Sequence, residues 1–137
     1  MTALLAHSAQ TVTSVDIHGD FLKGAAQRLR KTGINTVTLE QGDAADGWKP
    51  RSTWDAILLT GSVPEIPPAF EKALAKNGRL VAVVGQNPIM EAIIIFRDAN
   101  GALSRRSLFD THVAPLLNTP SNRAFEFEWA PFFYNPV

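Results

Sequence analysis

A chain of 137 residues is long enough to form one domain with a buried core, and its 13 basic and 13 acidic side chains leave no net charge. This balance gives no electrostatic reason to expect nucleic acid or an anionic membrane as a partner. The absence of cysteine excludes disulfides, thiolate nucleophiles and cysteine-based metal sites, and it fits the cytoplasmic location that we predict. No apolar run reaches the roughly 18 residues of a membrane span.

The first part of the chain alternates between helical and extended patterns. Residues 2–9 have a helical pattern, and residues 10–17 alternate in polarity as a strand does. Apolar residues then recur at helical spacing over residues 19–32, and Gly33 follows them as a helix stop signal. A second strand is predicted over residues 37–41.

The second part of the chain is richer in strand patterns. Residues 54–60 are mostly apolar, which is typical of a strand buried on both faces of a parallel sheet. We predict a helix over residues 64–75, because prolines crowd its start, and a strand over residues 80–84. Residues 89–97 and 102–109 are predicted strands, since the Asn-Gly pair between them favours a hairpin turn. This order of elements predicts an α/β fold whose mostly parallel sheet has an antiparallel C-terminal edge.

We interpret residues 1–137 as a single domain, with a core region over residues 1–110 and a C-terminal extension over residues 111–137. In the extension, residues 124–127 are a candidate last strand. The aromatic run over residues 129–134 is either a tail laid over the core or a surface for a partner. The predicted core consists of apolar residues from the strands and helices: Val15, Ile17, Leu22, Leu29, Val37, Ile57, Leu58, Leu59, Leu80, Val81, Val83 and Ile94.

Polar residues and glycines follow three successive strands, where open α/β sheets bind their ligands. Asp16 ends the first strand, Asp43 follows the second, and Thr60 and Gly61 end the third. Asp16 can accept two ribose hydroxyls, Asp43 can accept an exocyclic amine such as that of adenine, and Gly61 leaves room for a ligand near the backbone. A lone aspartate here also serves as a helix N-cap, and Gly-Asp is an ordinary turn. Three such positions on one sheet favour a ligand site.

The sequence contains no pattern of a hydrolytic or metal site. His7, His18 and His112 are scattered, and none has metal-ligand spacing to another histidine or carboxylate. Ser62 lacks the Gly-x-Ser-x-Gly sequence that exposes a nucleophilic serine in hydrolases. We therefore predict no metal ligands and assign no catalytic residue.

These motifs together resemble the protein-L-isoaspartate O-methyltransferase family. The resemblance covers about residues 1–110, and the Thr-Gly-Ser-Val-Pro-Glu-Ile-Pro stretch over residues 60–67 makes it specific among methyltransferases. The resemblance implies a Rossmann-like fold that binds S-adenosylmethionine and transfers its methyl group to the α-carboxylate of isoaspartyl residues in proteins or peptides. The matching segments, in order, are residues 12–17, 33–37, 41–44, 54–62 and 78–85.

The resemblance also implies which residues bind the cofactor. They form three neighbouring pairs: Asp16 with Ile17, Asp43 with Ala44, and Thr60 with Gly61. In the family, the first pair supplies the acidic residue at the ribose hydroxyls, the second lies at the adenine, and the third lies beside the methionine end and the substrate.

Members of the family carry a further segment before the point that matches Met1, with the first strand and the Gly-rich cofactor loop. We therefore expect a partial, N-terminally truncated methyltransferase-like domain whose activity alone is weak or absent. The missing strand would lie between the strands over residues 10–17 and 54–60. Either these strands pair directly, or a strand from a second copy fills the gap and makes a homodimer. We favour the dimer, because the aromatic run offers apolar area for it.

Two other functions remain open. The chain can be a non-catalytic methyltransferase-like remnant that works as an assembly or binding module. It can also be another α/β nucleotide binder, such as a dehydrogenase fragment, but such proteins have a Gly-rich loop that this sequence lacks.

Overall fold

The computed structural model describes residues 1–49 and 52–119. Helices and strands alternate through the first part of the chain, and strands dominate the last part. The elements are α1 (Thr2–Ser8), β1 (Val12–Asp16), α2 (Gly19–Lys31), β2 (Val37–Gln41), β3 (Trp54–Val63), α3 (Pro68–Lys72), β4 (Leu74–Gln86), β5 (Ile89–Arg97) and β6 (Leu103–Asp110). The predicted strand over residues 124–127 and the aromatic run over residues 129–134 lie outside the described residues.

The described strands form two sheets, in the orders β1-β2 and β3-β4-β5-β6. The pairs β1–β2 and β3–β4 are parallel, whereas β5 and β6 join the larger sheet antiparallel. This arrangement confirms the predicted α/β class with an antiparallel C-terminal edge. In the larger sheet, Asp98 accepts the backbone N–H groups of Asn100 and Ala102, both at 2.8 Å, which confirms the predicted hairpin turn.

Strands β1 and β3 belong to different sheets, so the alternative in which they pair directly is wrong. Within residues 1–49 and 52–119, β1 has β2 as its strand neighbour and β3 has β4. On the other edge of β3, Ser62 forms an isolated parallel bridge with Pro115. Most of the backbone donors and acceptors along these two edges are therefore not joined to another strand of the described chain. Whether a second copy supplies that strand stays a prediction.

Helix α3 is shorter than the helix predicted over residues 64–75. A residue that precedes proline is driven towards extended backbone, and Pro64, Pro67 and Pro68 impose this on the residues before them. The helix therefore begins at Pro68, a position at which proline is tolerated. It ends at Lys72, because the chain then enters β4, which starts at residue 74 rather than at the predicted residue 80.

The buried core lies between α3 and one face of the larger sheet, and it differs from the predicted core. Leu29 and Leu80 are buried as predicted. The other predicted core residues are only half-buried: Val15, Ile17, Leu22, Val37, Ile57, Leu58, Leu59, Val81, Val83 and Ile94. The cluster that forms the core instead consists of Phe70, Leu74, Leu80, Ala82, Ile93 and Ile95.

Strand alternation explains much of this difference. Successive residues of a strand point to opposite faces, so Leu80 and Ala82 of β4 enter the core while Val81 and Val83 point away from it. A run of apolar residues predicts burial on both faces, but the core cluster lies on one face of the larger sheet. On the other face Met90 and Ala92 are buried, while Val81 and Val83 are only half-buried. Within the described residues, no helix is both long and apolar enough to cross a membrane.

Candidate functional site

Hydrogen bonds join the carboxyl ends of β1, β2 and β3 into one cluster. The backbone N–H of the residue after β2 donates to the carbonyl of Asp16 at 3.1 Å. The side-chain amide of Asn118 donates to Asp43 at 2.7 Å. Leu116, two residues earlier, donates its backbone N–H to the carbonyl of Ser62 at 2.8 Å. Two residues of chain span at most about 7 Å, so Asp43 lies near the end of β3.

Asp16 forms a turn at the end of β1 with one of its two carboxylate oxygens. Its Oδ1 accepts the backbone N–H of His18 at 2.8 Å. His18 is the N-cap residue of α2, and its side chain makes no capping hydrogen bond. The next residue, Ile17, is half-buried, and its carbonyl accepts the side-chain amide of Gln41 at 3.3 Å. Asp16 thus forms a turn and is not the N-cap of α2. Its Oδ2, without a hydrogen-bond partner among the described residues, can accept a ligand hydroxyl.

Asp43 lies exposed in the loop after β2, and both its carboxylate oxygens accept hydrogen bonds. Oδ1 accepts the backbone N–H of Ala45 at 2.9 Å, and Oδ2 accepts the amide of Asn118. The Ala45 N–H, and then the Asn118 amide, lower the pKa of Asp43 below its ordinary value. These hydrogen bonds are therefore present above that ordinary pKa and are lost as the pH falls through the lowered value.

A second set of contacts holds the loop after β2 in place. The indole of Trp48 lies against Gly42, and its Nε1 donates to Glu40 at 2.9 Å. Lys49 forms an ion pair with the same carboxylate at 2.6 Å, and this contact lowers the pKa of Glu40. The half-buried Ala44 accepts the backbone N–H of residue 47 at 3.1 Å. These contacts fold the loop back on β2, which leaves the Asp43 side chain at the end of the strand.

Strand β3 runs to Val63, beyond the predicted end at residue 60, and it bulges at Thr60 and Gly61. Leu58 pairs with Val81 of β4, but the next pair joins Ser62 to Val83, so β3 has more residues in this stretch than β4. Such a bulge bends a strand and displaces its residues from the regular pairing. Thr60 is exposed. A Cβ atom added to Gly61 would lie 2.8 Å from the backbone nitrogen of Leu116, so glycine is needed for this close approach.

The sequence did not predict the residues that close the cluster from the C-terminal side. We call residues 113–119 the return segment, because they lead the chain from β6 back to β3. Ser62, which lacks a hydrolase motif, is 1% exposed and donates its hydroxyl to the carbonyl of Val113 at 3.1 Å. Asn118 lies 75 residues from Asp43 in the chain. No local spacing in the sequence signals a contact over that distance.

The cluster has the chemistry of a binding site rather than of a hydrolytic centre. Its carboxylates, Asp16 and Asp43, accept hydrogen bonds from hydroxyls and amines, which fits a ligand that carries both. Among the described residues, no group of three or more histidine, aspartate and glutamate side chains lies together as a metal site would require. His18 contacts the ring of Phe21, with a centroid distance of 5.1 Å, and remains exposed.

Comparisons with known sequences agree on one family. The family model described as protein-L-isoaspartate(D-aspartate) O-methyltransferase matches residues 1–120. Protein-L-isoaspartate O-methyltransferase 2 of Polaromonas sp. is 31% identical over 115 residues, which cover 83% of this chain and 54% of the relative. The protein-L-isoaspartate O-methyltransferase of Anaeromyxobacter dehalogenans is 34% identical over 121 residues, which cover 87% of this chain and 58% of the relative. The chain thus spans about half the length of the curated relatives that it matches.

Solved structures share the fold. A protein-L-isoaspartate O-methyltransferase from Plasmodium falciparum, in complex with S-adenosyl-L-homocysteine, has a TM-score of 0.66 at 18% identity and covers 77% of this chain and 52% of that one. A SAM-dependent O-methyltransferase of Thermotoga maritima has a TM-score of 0.51 at 27% identity over 62% of this chain and 34% of that one. The likeness confirms the Rossmann-like fold that the sequence predicts.

Proposed function

Because the chain belongs to the protein-L-isoaspartate(D-aspartate) O-methyltransferase family, we propose that it binds S-adenosylmethionine at the ends of β1, β2 and β3. In this proposal the methyl acceptor is the carboxylate of an isoaspartyl residue in a protein or peptide, as the names of the matched relatives describe. The observation that carries the proposal is the hydrogen-bonded cluster at the ends of three strands: Gly42, after β2, donates to Asp16, and the return segment bonds both Asp43 and Ser62.

The proposed roles follow from the chemistry of each position. Asp16 would accept ribose hydroxyls through its carboxylate, beside the backbone of Ile17. Asp43, with Ala44 next to it, would accept the exocyclic amine of adenine. The bulge at Thr60 and Gly61 would lie beside the methionine end and the substrate. Asp43 and Thr60 are exposed and the other four residues are half-buried, but Leu116 packs against Gly61, in the space that the sequence analysis assigned to a ligand.

Methyl transfer of this kind depends mainly on positioning. The cofactor supplies an activated methyl group on a sulfonium, and the protein has to hold an acceptor carboxylate oxygen in line with it. Residues of this chain would bind and orient the two groups, and none is assigned a proton-transfer role. We expect weak activity from residues 1–137 alone, because β1 and β3 carry opposite sides of the site and belong to separate sheets.

A non-catalytic role is the second candidate. It is favoured by the edges of β1 and β3 that no other strand of residues 1–49 and 52–119 pairs along their length, since another strand can pair there. In that case the chain would act as an assembly or binding module that retains the family fold.

Isothermal titration with S-adenosylhomocysteine tests the first candidate, and we expect binding in the micromolar range. No heat at millimolar ligand would remove the proposal. A transfer assay on an isoaspartyl peptide, with the normal aspartyl peptide of the same sequence as its control, then separates the two candidates. Binding without transfer to either peptide would favour the binding module.

The homodimer that the sequence suggests remains a proposal, as does the cytoplasmic location. If a second copy pairs with the edge of β1 or β3, sedimentation equilibrium should give a mass of twice 14.9 kDa that falls on dilution. A mass of 14.9 kDa at all concentrations, with a cooperative melt, would contradict the dimer. The sequence gives no reason to expect nucleic acid or a membrane as a partner.

A further inference from the structure

The return segment, residues 113–119, has an anchored part and an exposed tip. Around Ser62, the anchored part makes three hydrogen bonds: the Ser62 N–H donates to Ala114 at 2.9 Å, the Ser62 hydroxyl donates to Val113 at 3.1 Å, and the Leu116 N–H donates to Ser62 at 2.8 Å. Since Ser62 is 1% exposed, water has little access to these bonds. The tip, residues 117–119, begins with Leu117, which is 55% exposed. Such a tip can move while the anchor stays in place.

The tip places a side-chain amide on the carboxylate of Asp43. Asn118 adopts a left-handed backbone with φ of 61°, and its Nδ2 lies 2.7 Å from Oδ2 of Asp43. The other oxygen, Oδ1, is turned back to the N–H of Ala45. The amide of Asn118 therefore bonds Oδ2, the oxygen of the Asp43 carboxylate that makes no hydrogen bond within the loop after β2.

An amide NH₂ and the exocyclic amine of adenine are the same kind of hydrogen-bond donor. Both present planar N–H groups, and both are suited to a carboxylate oxygen. The proposed adenine position at Asp43 is thus already engaged by a donor from the same chain.

We infer that Asn118 competes with the adenine amine for Oδ2 of Asp43, so that an adenosyl ligand has to displace the tip of the return segment. This inference rests on the proposed function and names a residue that sets the affinity of that site. Releasing one exposed hydrogen bond of this kind changes affinity by a modest factor, because water replaces the lost partner.

The test is the replacement Asn118→Gly, which removes the amide and tolerates a positive φ. Asn77→Gly is the matched control, because Asn77 also has a left-handed backbone, with φ of 62°, and lies within β4 between the paired residues Leu74 and Arg79. We expect Asn118→Gly to bind S-adenosylhomocysteine about 2- to 10-fold more tightly than the parent chain, and Asn77→Gly to bind as the parent does. The gain should be absent with S-inosylhomocysteine, which carries an oxygen in place of the amine.

The possible results distinguish a failure of this inference from a failure of the proposed function. Equal affinity of the parent chain and Asn118→Gly would overturn the inference and leave the function standing. Weaker binding by Asn118→Gly would overturn it as well, because Asn118 would then be part of the ligand's own site. No binding by either protein at millimolar ligand would remove the function and the inference together.

A measurement without ligand checks the contact itself. The carboxyl carbon of Asp43, followed by NMR against pH, should show a higher pKa in Asn118→Gly than in the parent chain, because one of the hydrogen bonds that lower it is lost. The N–H of Ala45 should keep this pKa below its ordinary value in both proteins. An unchanged pKa would mean that Asn118 does not hold Asp43 in solution, and the inference would fail whatever the ligand does.

Discussion

Replacing Leu80 by alanine should lower the free energy of unfolding by about 2–5 kcal/mol, as large-to-small changes in a core do. Leu80 is fully buried in β4, in a cluster with Phe70, Ile93 and Ile95. The shorter side chain loses its transfer free energy and leaves a cavity that the packed neighbours cannot fill. Urea unfolding followed by circular dichroism measures this loss, provided that the transition is two-state.

Val81→Ala is the control, since Val81 is the next residue of the same strand and points to the opposite, half-buried face. We expect it to destabilise the protein less than Leu80→Ala. Equal losses for the two variants would mean that Leu80 and Val81 are equally buried in solution, which would contradict the difference in burial between them. This outcome would also fit a second copy or a further segment that covers the face of Val81.

Replacing Asp16 by alanine should weaken the binding of S-adenosylhomocysteine by about 10- to 150-fold, which corresponds to about 1.5–3 kcal/mol for hydrogen bonds to a charged group. The proposed ribose hydroxyls would lose a carboxylate acceptor at the end of β1. Isothermal titration of parent and variant measures the change. An unchanged affinity would rule out the ribose role.

Two further variants separate the ribose role from the turn that Asp16 forms. Asp16→Asn retains an oxygen for the N–H of His18, so the turn can persist while the charge is lost. We expect it to weaken binding as well, though less than alanine does. Asp20→Ala removes an exposed carboxylate in the first turn of α2, where it pairs with Lys23 at 3.6 Å, and should leave the affinity unchanged.

The elements that the sequence predicted well are those whose signals are local. Strand β2 has the predicted bounds, and α2 and the β5–β6 hairpin lie within one or two residues of theirs. A helix stripe, a stop glycine or an Asn-Gly turn acts within a few residues, so it is visible in the sequence. The order of polar strand ends was also visible, and hydrogen bonds link Asp16 to the residue after β2 and Asp43 to Asn118. The binding roles of these residues stay predictions.

Other features depended on contacts between distant residues. Strand β4 extends back to Leu74 because Leu74 pairs with Trp54, and this pairing ends α3 early. Which face of β4 enters the core depends on where α3 packs, so an apolar run alone could not separate Leu80 from Val81.

By itself, the sequence determined the α/β class, the hairpin and the polar residues at the ends of β1 and β2, because each follows from the polarity and backbone preferences of neighbouring residues. Only the tertiary structure decided that β1 and β3 belong to separate sheets and that Asn118 contacts Asp43. Those outcomes come from backbone hydrogen bonds and side-chain contacts between segments far apart in the chain. Local propensity carries no information about which distant partner a strand or a carboxylate will meet.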